Sequence, residues 1–159
     1  MTATVVEAFL IHAIPAELLT QVRRDGLDVS GTPVARVTAG GGEPLRCCLR
    51  NAVPGTQLIL FGYEPLIPRS PYREIGAVYA HAEPCDGLTE CVAYPQEWRG
   101  RQQVLRAYDA RGWIHAATLH DGHDPEAAIV GMLEDPDVVC IHSRNVAYGC
   151  FMFSITRSH

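Results

Sequence analysis

Apolar and polar positions along the chain change period several times, and each change marks an element. FLIHAI (9–14) is a short apolar strand. Pro15 then opens a helix in which Leu18, Leu19 and Val22 recur at helical spacing until Gly26. PVARV (33–37) reads as a strand, and TAGGGEP as a loop without G-x-G-x-x-G spacing. LRCCLRNAVPG reads as a single helical turn that would place Arg46 and Arg50, four apart, on one face. TQLILFGYEP (56–65) and AVYAHAE are strands separated by a proline-rich loop. PCDGLTECVAYPQEWRGR has no period and is expected at the surface or over a cleft. QVLRAYDARGWIHAATLHDG is a hairpin turning at Ala110-Arg111-Gly112. Asp124 then caps a helix with Pro125 at its first position and Ile129, Met132 and Leu133 as its buried stripe. Residues 137–144 and 149–157 close the chain as a hairpin of two strands. The expected fold is α+β: a single domain over residues 1–159, a mostly antiparallel sheet with about two helices on one face.

Composition narrows the function mainly by exclusion. The chain has 159 residues, 47% of them apolar and 19% charged, enough for one packed core. No apolar run reaches the eighteen or so residues of a membrane span, and the amino terminus lacks a signal peptide's basic head, so a cytoplasmic protein without membrane contact is expected. A net charge of −5 argues against nucleic-acid binding. All thirteen cationic side chains are arginine. Without lysine there is no Schiff base to pyridoxal phosphate and no P-loop lysine, and no organic cofactor is expected. Six cysteines in such a setting are expected as thiols, mostly buried.

The string HAEPC (81–85) resembles the zinc site of the nucleobase deaminases but lacks its order. Proline follows the glutamate directly, no P-C-x-x-C exists, and AVYAHAE reads as a strand where that site needs a helix start. His81, Cys85 and Cys91 lie close in sequence, and Cys47, Cys48, Cys140, His142 and Cys150 could approach from other elements. Their spacing matches no familiar zinc pattern, so no resident metal is expected.

Strand alternation sorts the remaining candidates. Tyr79, His81 and Glu83 share one face of AVYAHAE, and Cys140, His142 and Arg144 share one face of DVVCIHSR. Convergence of those faces would build a single hollow. In it His81, helped by Glu83, would be acid or base, Cys85 a nucleophile or proton carrier, and Arg46, Arg50 and Arg144 a carboxylate clamp.

Several strings together resemble the bacterial domain-of-unknown-function family number 1203: RCCLR, PGTQLILFGYEP, SPYREIGAVYAHAEPC, LRAYDARGWI and SRNVAYGCFMFSITR. The resemblance runs from Phe9 to Arg157. It implies one domain, a cytoplasmic bacterial origin, and a polar pattern of Arg46, Cys48, Arg50, Tyr72, His81, Cys85, Arg144, Asn145 and Cys150. It implies no activity. Tyr72 and Asn145 thereby join the arginines as candidate substrate-binding residues.

The leading expectation is a small cofactor-independent enzyme of isomerase, lyase or cyclase type. It would act on a small anionic organic molecule, with a biosynthetic pathway step as a natural home. A non-catalytic binding protein or sensor using the same arginines is the alternative, and a protein with a Cys/His zinc site is the second. A homodimer stays open.

Overall fold

The computed structural model describes residues 9–87 and 89–158. It has two sheets, which refines the α+β expectation of one. The first has six strands in the order β7-β1-β11-β10-β8-β9, all antiparallel. These are β1 Phe9–His12, β7 Glu90–Cys91, β8 Gln103–Tyr108, β9 Ile114–His120, β10 Cys140–Asn145 and β11 Phe151–Arg157. The second has five, in the order β2-β5-β6-β3-β4. They are β2 Ala35–Thr38, β3 Pro44–Leu45, β4 Arg50–Asn51, β5 Gln57–Tyr63 and β6 Gly76–His81. Its pairings are antiparallel except β3 with β6, which run parallel through Leu45 and Tyr79.

Local chemistry sets the two helices. Helix α1, Ala16–Asp25, ends where Gly26 adopts φ 67° and its N–H donates to Val22 O, a left-handed stop that costs glycine nothing. Helix α2, Pro125–Leu133, starts at Asp124, whose carboxylate accepts from the Ala127 N–H at 3.3 Å. That cap contributes about 1 kcal/mol. The helices do not share a sheet face. Leu19 and Val22 of α1 pack with Leu58, Phe61 and Val78 of the five-stranded sheet. Ile129 and Leu133 of α2 pack with Leu105, Ile141 and Phe153 of the six-stranded one. No helix among the described residues is long and apolar enough to cross a membrane.

One aperiodic stretch departs from expectation in part. Residues 84–87 and 89–101 are mostly exposed, but two of their rings are not: Tyr94 and Trp98 are 2% and 0% exposed. Trp98 stacks on Phe153 at 6.0 Å and its indole N–H donates to Asn51. A short 3₁₀ turn, Gln96–Trp98, has no period to read, yet burying such a ring stabilises the fold by about 2–3 kcal/mol.

The sheets meet at residue 151. Phe151 packs on Tyr63 at 5.3 Å between ring centroids, and its carbonyl accepts from Arg46 Nε at 2.7 Å. That junction positions Arg46.

Candidate functional site

The connection from β3 to β4 is one tight turn, 46–49, in which the Leu49 N–H bonds Leu45 O at 2.9 Å. The single helical turn is therefore real, but strands flank it, and Arg46 and Arg50 do not share a face. Leu49 closes it at φ 57°, a left-handed conformation that a side chain adopts only when its surroundings hold it. They do: the Arg46 N–H donates to Tyr79 O and the Arg46 carbonyl accepts from the Ile14 N–H. Successive side chains of the turn consequently leave it in different directions.

Arg46 points into the sheet junction and is 1% exposed. It donates to Phe151 O, Pro44 O and Cys150 Sγ, so its fork is occupied by the protein itself. Around it lies a cavity of about 710 Å³, walled by Arg46, Tyr63, Glu74, Tyr79, Arg144 and Asn145, with Cys150 and Phe151 at its base. Arg144 reaches it from β10, opposite a shift of register in β11: Ser143 faces Phe153 and Arg144 faces Phe151, which leaves Met152 as the extra residue. Arg144 is 6% exposed, donates to Gly149 O at 3.0 Å and pairs with Glu74. Its Nε has no partner. Asn145 donates to Cys150 Sγ at 3.0 Å.

Cys47 and Cys48 point the other way, toward the end of β6. Because β3 runs parallel to β6, residues 47 and 48 fall beside His81. His81 Nδ1 is 3.4 Å from Cys47 Sγ and 3.9 Å from Cys48 Sγ. The chain then turns back over them. A Cβ on Gly87 would stand 2.2 Å from Cys48 Cβ, so only glycine permits this approach. The return brings Cys85 Sγ to 3.7 Å from Cys47 Sγ, and an Arg50–Asp86 pair at 2.9 Å clips it. The Cys47 hydrogen bond, aided by Arg50, pulls the Cys48 thiol down; the same bond and burial push the Cys47 thiol up. Cys47, Cys48, His81 and Cys85 form a donor set that could hold a metal ion.

The expected single hollow is thus two adjoining places. Arg46, Arg144 and Asn145 wall the cavity; His81, Cys85 and Arg50 gather at the thiol cluster. Glu83 is exposed beyond the end of β6, where strand alternation no longer applies. Tyr72 is 40% exposed and packs on Trp113, away from both. Cys140 and His142 share a face as expected but wall a second cavity, of about 610 Å³, separated from the first by Tyr63 and Phe151. Burial there pushes the His142 imidazole down to about 3, with Arg144 adding repulsion. Cys91 donates instead to Ala93 O.

Sequence reasoning did not single out Glu74, the carboxylate seated on Arg144 and Arg106, and named Cys47 only among several residues that could approach His81 from other elements. The one available signal for the former was a lone acid in an arginine- and proline-rich loop. Among known proteins, the family described as "Protein of unknown function (DUF1203)" matches residues 42–157. No curated protein and no solved structure matches the chain.

Proposed function

The chain belongs to the DUF1203 family, and from the geometry at its sheet junction we propose that it binds a small anionic organic molecule there. One observation carries the reading: the guanidinium of Arg144, almost wholly buried in the cavity wall, meets the carboxylate of Glu74, which comes from an exposed loop. Leaving a buried charged donor unmade costs about 1–3 kcal/mol, so an anion that displaced Glu74 would bond the same terminal nitrogen, the Nε being sealed from the cavity. A volume of about 710 Å³ suits a metabolite-sized ligand. Leu60, Ala77 and Phe151 supply apolar wall, while Asn145 and Tyr79 offer further polar atoms.

Glu74 marks where the ligand's charge would sit. Its carboxylate, from an exposed loop, already pairs with Arg144 and with Arg106 at 3.1 Å. A ligand carboxylate would replace it. Catalysis by His81 and Cys85 on that ligand draws no support from this arrangement, because neither residue walls the cavity. Binding without turnover is the reading the geometry favours. Six free thiols fit a reducing compartment such as the cytoplasm.

Calorimetric titration with small mono- and dicarboxylates, hydroxy acids and inorganic phosphate tests this. At least one should give saturable one-site binding, weakened about 10–100-fold in Arg144→Gln, the worth of a charge-assisted bond of about 1.5–3 kcal/mol. Absence of saturable binding across the series, or binding indifferent to Arg144→Gln, would refute it.

A further inference from the structure

The thiol cluster is independent of the cavity and needs its own account. We propose that Cys47, Cys48, His81 and Cys85 are the four ligands of a structural zinc ion. In a tetrahedral site, with metal–sulfur bonds of about 2.3 Å and metal–nitrogen bonds of about 2.0–2.1 Å, sulfurs stand about 3.8 Å apart and sulfur and nitrogen about 3.5 Å apart. Here the sulfur pairs Cys47–Cys48 and Cys47–Cys85 are 3.8 and 3.7 Å apart. His81 Nδ1 lies 3.4 and 3.9 Å from the sulfurs of Cys47 and Cys48. All four donor atoms fall within 4.8 Å of one another.

Sulfur atoms in simple contact can reach similar distances, so the pairs alone do not decide the matter. The surroundings do. The half-buried His81 turns one imidazole nitrogen onto two sulfurs at once, the arrangement that a shared ion would require. Donors and charge that bound thiolates need are in place: the His81 backbone N–H points at Cys47 Sγ at 3.3 Å, and the Arg50 guanidinium is an electrostatic neighbour of Cys48. Arg23 holds the His81 carbonyl through Nε and a terminal nitrogen at 3.1 and 3.0 Å, fixing the residue that carries the ring. Three thiolates and a divalent ion leave one net negative charge, which Arg50 offsets.

Three thiolates and an imidazole favour a borderline-soft ion such as zinc over magnesium or calcium. Four protein ligands leave no open position, the mark of a structural rather than a catalytic centre. Its task follows from what it joins. The ion would staple the turn at 46–49, strained at Leu49, to the end of β6 and to the returning loop at Cys85. The turn that aims Arg46 at the cavity would thus be held from its other side. The sequence spacing hid this site because adjacent cysteines and a distant His-x-x-x-Cys meet only through the parallel β3–β6 pairing.

The test is metal content of the full chain purified under reducing conditions without chelator, read by mass spectrometry and followed by reconstitution with zinc alone. One zinc per chain is expected. Cobalt in its place should give a thiolate charge-transfer band and intense tetrahedral visible bands, which report the ligand set in the wild-type chain whatever any variant does. Cys48→Ser and Cys85→Ser should each lose about tenfold or more in metal affinity against a competing chelator, whereas Cys91→Ser and Cys140→Ser should lose none. A reconstituted wild type holding well below one zinc, a pale octahedral cobalt spectrum, or full affinity in Cys85→Ser would overturn the assignment. None of these readings depends on whether the cavity binds an anion.

Discussion

Arg46 and Cys47 are neighbours in the chain, yet they serve different places: the guanidinium of one is locked to Phe151 O and Cys150 Sγ, while the sulfur of the other lies 3.4 Å from His81 Nδ1. The turn that separates them is the hinge of the molecule's chemistry. It couples the sheet junction, where the cavity lies, to the thiol cluster at the end of β6.

Arg46→Met tests how far that junction depends on one side chain. The substitution leaves the Phe151 and Pro44 carbonyls without their donor in a buried setting. Each charge-assisted bond is worth about 1.5–3 kcal/mol, so a loss of about 3 kcal/mol or more is expected. Thermal unfolding should shift down by about 6–12 °C. A shift below a degree or two would mean that the guanidinium is not the clasp described.

Two glycines should respond in opposite directions. Gly131 lies inside α2 with open space where a Cβ would project, so Gly131→Ala should stabilise by about 1 kcal/mol, raising the midpoint by about 2–4 °C. Gly87→Ala drives its Cβ against the backbone and Cβ of Cys48, and the midpoint should fall. Thermal scans of the two variants side by side check both signs. Equal shifts would contradict the close passage of the loop over Cys48.

His142 should dominate a specific window of acid sensitivity. Buried between Tyr108 and Phe151, near Arg144 and Arg106, its imidazole is pushed from the usual 6.5 to about 3. Between those values the unfolded chain binds a proton that the folded one refuses, so stability is full above pH 6.5 and falls as pH drops toward 3. At pH 5 the loss from this group is about 2 kcal/mol. Denaturant midpoints for His142→Gln, compared at pH 7 and pH 5, should show a smaller acid-induced loss than wild type by that amount. An unchanged difference would remove His142 from the account.

The parts of the fold legible in sequence were those with long, regular periods: β5, the hairpin at residues 103–120, and α2 with its Asp124-Pro125 start. Alternation also reported faces well, since Val78 and Ala80 are buried behind Tyr79 and His81. It could not report partners. The pairing that sets Cys47 and Cys48 beside His81 rests on a strand of two residues, Pro44–Leu45, too short to carry any period. The extra residue of β11, Met152 opposite the Ser143–Arg144 step, is likewise invisible in sequence, as is the Tyr63–Phe151 pair that lies between the cavity of Arg144 and that of His142. The burial of Trp98 within a stretch expected at the surface or over a cleft had no signal, because irregular chain can bury a ring as completely as a strand does. Local pattern sets direction, and long-range register decides what meets.

The most direct measurement of the central claim is the affinity of the best-binding carboxylate for Glu74→Gln beside that for Arg144→Gln. Glu74 occupies the arginine that the ligand needs, so removing its charge should tighten binding, by about tenfold for one competing charge-assisted bond. Removing the arginine should weaken binding by about 10–100-fold. Opposite signs in the two titrations are the predicted result. Equal weakening in both variants, or no change in either, would contradict an anion site centred on Arg144.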